Sequence, residues 1–89
     1  MTKEHALALV ANRNRFLDKF YRYIVPAAME AQGHPIRNGT MSAQDWLRAQ
    51  QFIAESPVYE DSKHLMQMLR EEGFDVKINM QDYRLTLAE

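Results

Sequence analysis

The chain has 89 residues, 46% hydrophobic and 26% charged, with 11 Lys plus Arg, 12 Asp plus Glu and no cysteine. That length supports one modest core, so residues 1–89 are expected to form a single small domain, and the composition excludes wholesale disorder. A net charge of -1 gives no global attraction to nucleic acid or to an anionic membrane, and the lack of cysteine excludes disulfides and thiolate metal sites, which suits the cytoplasm.

In the opening segment MTKEHALALVANRNR the apolar run Ala6 to Ala11 ends after six residues at Asn12 and Arg13. It is too short for a secretory signal or a membrane span, and no membrane attachment is expected. Thr2 can cap a helix opened by Lys3, and apolar residues then recur every three or four positions as far as Met29. Gly33, His34 and Pro35 stop it. Drawn straight, residues 3–32 would run about 45 Å at 1.5 Å per residue, long for a domain whose radius of gyration should be about 12 Å. Either Pro26 kinks the helix near Tyr23 to Val25, or a second copy of the chain covers the overhang in a homodimer.

At 100° per residue, Ala6, Val10, Leu17, Phe20, Ile24 and Ala28 line one side of this helix. Asn12, Arg15, Lys19 and Arg22 line the other. Arg13 breaks the pattern by pointing into the apolar stripe, where a guanidinium needs an acidic residue or a ligand as its partner. Residues 3–32 carry a net charge of +2 and residues 42–73 a net charge of -3.

Pro35, Ile36 and Arg37 could add a short edge strand before an Asn38-Gly39 turn. Ser42, with Asp45 three residues on, resembles a capping box and opens a helix over 43–54. Its inner side is expected to carry Ala43, Trp46, Leu47, Gln50 and Ile53, with Phe52 on the outer side beside Asp45 and Arg48. Ser56-Pro57 restarts the chain as cap and first residue of a third helix, 57–72, ended by Gly73. The period then changes from 3.6 to 2: Phe74, Val76, Ile78 and Met80 alternate with polar residues, as do Tyr83, Leu85 and Leu87. That pattern predicts an antiparallel hairpin over 74–80 and 83–87. A two-residue loop would pair Ile78 with Leu85, and a four-residue loop at Asn79 to Asp82 would pair it with Tyr83.

The predicted fold is therefore α+β: three helices, the first kinked near Pro26, followed by a C-terminal hairpin. Leu9, Leu17, Phe20, Ile24, Trp46, Ile53, Leu65, Leu69, Val76, Ile78 and Leu85 are its expected core. The order of elements over residues 36–89 resembles that of a winged helix, with LREEGFDVKINMQDYRLTLAE as the end of the recognition helix and the wing. Recognition helices present basic and amide side chains at their N-terminal end, whereas Tyr59, Glu60 and Asp61 stand there in this chain.

No metal or other cofactor is expected. The three histidines lack ligand spacing, and the three glycines form no phosphate-cradling run. Glu60-Asp61 and Glu71-Glu72 are adjacent pairs that diverge by 100° on a helix, so they suit solvated charge better than acid-base catalysis. Segregated charge with no reaction centre points to a non-enzymatic regulatory or inhibitory protein that acts by contact with another protein. Arg13, Arg15, Lys19, Arg22, Arg48 and Phe52 are its candidate partner-binding residues. The alternative is a nucleic-acid-binding regulator that uses the basic face of the first helix.

Overall fold

Thr2 begins the first helix as its side chain allows, accepting a hydrogen bond from the His5 N–H at 3.1 Å. The computed structural model describes residues 1–36 and 41–88. In order, the chain forms α1 (Lys3–Lys19), a π-helical turn (Phe20–Ile24), α2 (Val25–Ala31), α3 (Ala43–Glu55), α4 (Val58–Glu71), β1 (Val76–Ile78) and β2 (Leu85–Leu87). This is the expected α+β order, a long helical run and two further helices followed by an antiparallel hairpin. Pro35 and Ile36 are not in a strand. Arg37 and the expected Asn38-Gly39 turn lie outside the described residues.

The interruption expected near Pro26 takes the form of the π-turn. Pro26 has no N–H for the Arg22 carbonyl, and its ring would crowd that carbonyl in an α-helix. The chain widens ahead of it: the Val25 N–H bonds to the Phe20 carbonyl, five residues back, and Pro26 becomes the second residue of α2. A π-turn inserts one residue into the helical count, so the apolar stripe shifts by one. Phe20 is buried as expected, but Val25 and Met29 are buried after it instead of Ile24 and Ala28. Ile24, an expected core residue, is 44% exposed.

The chain divides into two compact units, Met1–Leu17 with Pro57–Glu89, and Asp18–Ser56. In the first, Ala6 and Val10 of α1, Met66 and Leu69 of α4, and Val76, Leu85 and Leu87 of the hairpin form one buried cluster. Leu9, Leu65 and Ile78 pack against it. Gly73, at a φ of +94°, ends α4 with its own N–H on the Arg70 carbonyl and the Phe74 N–H on the Leu69 carbonyl. That arrangement needs a left-handed residue and explains the glycine.

The hairpin pairs Val76 with Leu87 and Ile78 with Leu85, the first of the two expected registers. Its strands are shorter than the expected 74–80 and 83–87. Asn79 and Asp82 explain this, because their side chains accept from the N–H groups of Gln81 and Arg84 and hold a turn where the ladder would continue. The Asn79 carbonyl also accepts from the Tyr83 N–H at 2.7 Å, and Tyr83 takes a φ of 62°. Tyr83 lies against Tyr59, with ring centroids 5.2 Å apart.

Among the described residues neither strand has a second strand beside it, and side chains fill part of that role. Hydrogen bonds from Asn79 to Arg84 and from Ala88 to Asp75 bracket the ladder, so the N–H and C=O of Leu85 and the C=O of Val76 point away from the partner strand. The Asn14 carboxamide takes both groups of Leu85, each at 2.9 Å. Arg70 donates to the Val76 carbonyl at 2.9 Å.

In the second unit α2 packs on α3, and the Phe20 and Phe52 rings stack with centroids 6.1 Å apart and planes 9° from parallel. This corrects the expected orientation of α3. Ala49 is buried and Asp45, Arg48, Phe52 and Ile53 are partly buried, while Trp46 is 55% and Leu47 67% exposed. The helix is turned by about half a revolution from its expected setting.

Two stability predictions follow from this packing. Leu69→Ala should cost about 2–5 kcal/mol, whereas Trp46→Ala should cost under about 1 kcal/mol, because only the first opens a cavity. Asn14→Ala should cost about 1–3 kcal/mol by leaving both Leu85 backbone groups without their partner. Urea unfolding midpoints check all three. Equal losses for Leu69→Ala and Trp46→Ala would refute the rotated setting of α3.

Candidate protein-contact surface

The six candidate binding residues fall into distinct environments. Arg13 is an intramolecular clasp: its Nε donates to the hydroxyl of fully buried Ser62 at 2.9 Å, and Nη2 donates to the Val58 carbonyl at 2.7 Å. Its guanidinium also lies 4.8 Å from the Phe16 ring centroid. The apolar stripe of α1 thus accommodates a cation by giving it neutral oxygens on α4 and an aromatic face. Glu60 and Asp61, in the first turn of α4, offset the charge placed near that helix N-terminus.

Arg15, Lys19 and Arg22 are exposed, as an anionic partner would require. Arg15 donates to Asn12 Oδ1 one turn back. Between Lys19 and Arg22 the π-turn begins, so the 100° step that aligned these cations does not hold across that interval.

Arg48 and Phe52 line the inner side of α3. Arg48 Nη1 lies 3.3 Å from Asp45 Oδ1 and 3.2 Å from His34 Nδ1. Ser42 accepts from the Asp45 N–H at 3.1 Å, the expected cap, while the Asp45 carboxylate meets Arg48. Phe52 was expected on the outer side, and the structure reverses that: its ring is partly buried on Phe20. An open cleft lined by Gln32, Arg48, Gln51, Phe52 and Glu55 lies along this side. Ser56, expected to cap α4, turns back instead, its hydroxyl donating to the Phe52 carbonyl at 2.8 Å, and Pro57 occupies the cap position.

The outer side of α3 is the surface that sequence reasoning missed. Its exposed residues are Ala43, Trp46, Leu47, Gln50 and Ala54, none of them charged, while Gln51 and Glu55, also exposed, line the cleft and Glu55 is the last helical residue. At 100° per residue, Ala43, Leu47, Gln50 and Ala54 fall within about 60° of one another, with Trp46 at their edge. An apolar helix stripe of this kind normally faces a core. The available signal was that Asp45, Arg48 and Phe52 also share a side, which the presence of two charged residues made look solvent-facing.

Among the described residues, no group of three or more His, Asp or Glu side chains is placed to hold a metal ion, and no helix is long and apolar enough to cross a membrane. No protein-family model, curated protein or solved structure matches the chain.

These environments separate the cations by their effect on stability. Arg13→Ala should cost about 1–3 kcal/mol, since it strips the buried Ser62 hydroxyl of its donor, whereas Lys19→Ala and Arg22→Ala should stay within about 0.5 kcal/mol. Thermal or urea melts of the three variants provide the check, and an Arg13→Ala protein as stable as the other two would remove its structural role.

Proposed function

We propose that this is a cytoplasmic, non-enzymatic regulatory or inhibitory protein that works by contact with another protein, and that α3 supplies the contact surface. The observation that carries the reading is the pair Trp46 and Leu47, 55% and 67% exposed side by side on a helix whose Asp45 and Arg48 face inward. Single exposed apolar residues are ordinary. A tryptophan and a leucine set together in a face of alanines and glutamines are different: that face gains free energy only when something covers it. Tryptophan is also among the residues that most often anchor protein interfaces.

Of the residues first singled out for binding, Arg13, Arg48 and Phe52 serve the protein's own packing under this reading, and the contact moves to the opposite side of α3. The nucleic-acid alternative rests on the exposure of Arg15, Lys19 and Arg22. It calls for a cationic surface, whereas the outer side of α3 carries no cation.

A photo-crosslinking side chain at position 47, introduced in the native host, tests the proposal against the same group at Gln67, an exposed position on α4. Protein adducts from position 47 and none from position 67 are expected. Absence of adducts from position 47, or the same adducts from both, would overturn the assignment. Micromolar nucleic-acid binding that falls steeply with salt and is lost in an Arg15, Lys19, Arg22 triple-alanine variant would replace it with the alternative.

A further inference from the structure

We propose that the occupant of the outer face of α3 is a second copy of this chain, set against the same face about a two-fold axis. The inference rests on the reading of α3 as a contact surface and names its partner.

Charge is the first argument. In a two-fold interface the same patch meets itself, so a charged ridge would bring like charges together. α4 is of that kind, with Glu60, Asp61 and Glu71 all exposed. The outer side of α3 has nothing to repel its own copy: Asp45 and Arg48 are paired on the inner side, and Glu55 stands at the last helical position. A charged partner would find no counter-charge there, whereas another neutral, apolar and amide-bearing face is its match.

Shape is the second. From Ala43 to Ala54 the stripe extends about 16 Å at 1.5 Å per residue. If two copies cross antiparallel about a point between Leu47 and Gln50, Ala43 of one falls opposite Ala54 of the other, and Leu47 opposite Gln50. A helical side chain leans toward the N-terminus of its own helix. Trp46 therefore leans toward its own Ala43, where the facing Ala54 leaves room for an indole. Large residues at the centre with small ones at both ends let two such helices approach closely.

A pair of single helix faces buries less than about 1,200 Å², the low end of specific interfaces, so the dimer should exchange with monomer at micromolar concentrations. Sedimentation equilibrium of the full chain, over roughly 1 µM to 1 mM to bracket weak specific association, reads this directly. The average mass should rise with concentration from the monomer's 10.4 kDa toward twice that value. Leu47→Glu places a carboxylate on each side of the axis and should weaken the association by at least about tenfold. Circular dichroism should be unchanged, because the substituted side chain is 67% exposed. Mixing Leu47→Glu with Leu47→Lys should restore a dimer containing one copy of each, which a simple loss of fold would not allow.

A mass of 10.4 kDa at every concentration overturns the second copy as occupant. So does a doubled mass that Leu47→Glu leaves intact, or one that Phe16→Asp collapses in its place, which would move the interface to α1. The contact-surface reading fails separately. A monomer whose position-47 crosslinks go to a different protein rejects only the self-pairing, and a monomer with no such crosslinks rejects both.

Discussion

Pro26 is the constraint on which the second half of the helical run depends. Its missing amide cannot close an α-helical turn on Arg22, and a free-ended break would leave several backbone groups without partners. The π-turn over Phe20–Ile24 resolves this, since each bond within it reaches one residue further and the ladder continues past the proline. The cost is one residue of phase. Val25 and Met29 then face inward, and the Phe20 ring is held beside them with a flat face for Phe52. That stack fixes which way α3 turns. With Phe52 on the inside, Asp45 and Arg48 must also be inside, where His34 and their mutual contact satisfy them, and Trp46 and Leu47 are left on the outside.

The first unit solves a different problem with different means. A two-stranded hairpin is marginal by itself, and its outward backbone groups need partners wherever water is excluded. α1 and α4 supply both an apolar floor and polar clasps. Asn14 offers a carboxamide with the donor and acceptor of a peptide group, so it stands beside Leu85 much as one residue of a third strand would. Arg70 closes on Val76 from the other side, and one residue before Asn14, at Arg13, a second clasp fixes α1 to α4 through Ser62. These bonds also blunt the strand edges at Leu85 and Val76.

How much of this was legible depended on whether a feature was local. Thr2, Ser42, Gly33 and Gly73 act within a few residues of themselves, and each does in the structure what its chemistry predicts. The alternation from Phe74 to Leu87 is likewise a local signal, and it placed the hairpin with Val76, Ile78, Leu85 and Leu87 toward the core, although Met80 is 62% exposed. The turn was harder, because Asn79 and Asp82 shorten the strands through side-chain bonds that compete with the ladder. The two larger errors share a cause. A fixed step of 100° cannot anticipate a π-turn, so Ile24 was exchanged with Val25. An inward setting chosen by hydrophobicity cannot anticipate that a single aromatic stack and a satisfied Asp–Arg pair outweigh a Trp and a Leu. Asn14 carried no signal at all, since an asparagine on a helix becomes structural only when a partner from a distant part of the chain reaches it.

The winged-helix order of elements can now be weighed against surface chemistry. The end of α4 that would address a groove begins with exposed Glu60 and Asp61, and at the hairpin tip Arg84 lies 3.4 Å from Asp82, each reducing the other's outward field. A similar order of elements does not carry a shared partner, because recognition depends on the groups a surface presents. What α3 presents is neutral and apolar, and its contact energy would come from removing Trp46 and Leu47 from water. Such a contact should persist as ionic strength rises, where a phosphate-directed one would weaken, since salt screens charge and leaves the hydrophobic term in place. The physical character of the surface therefore suits the proposed protein contact better than contact with a polyanion.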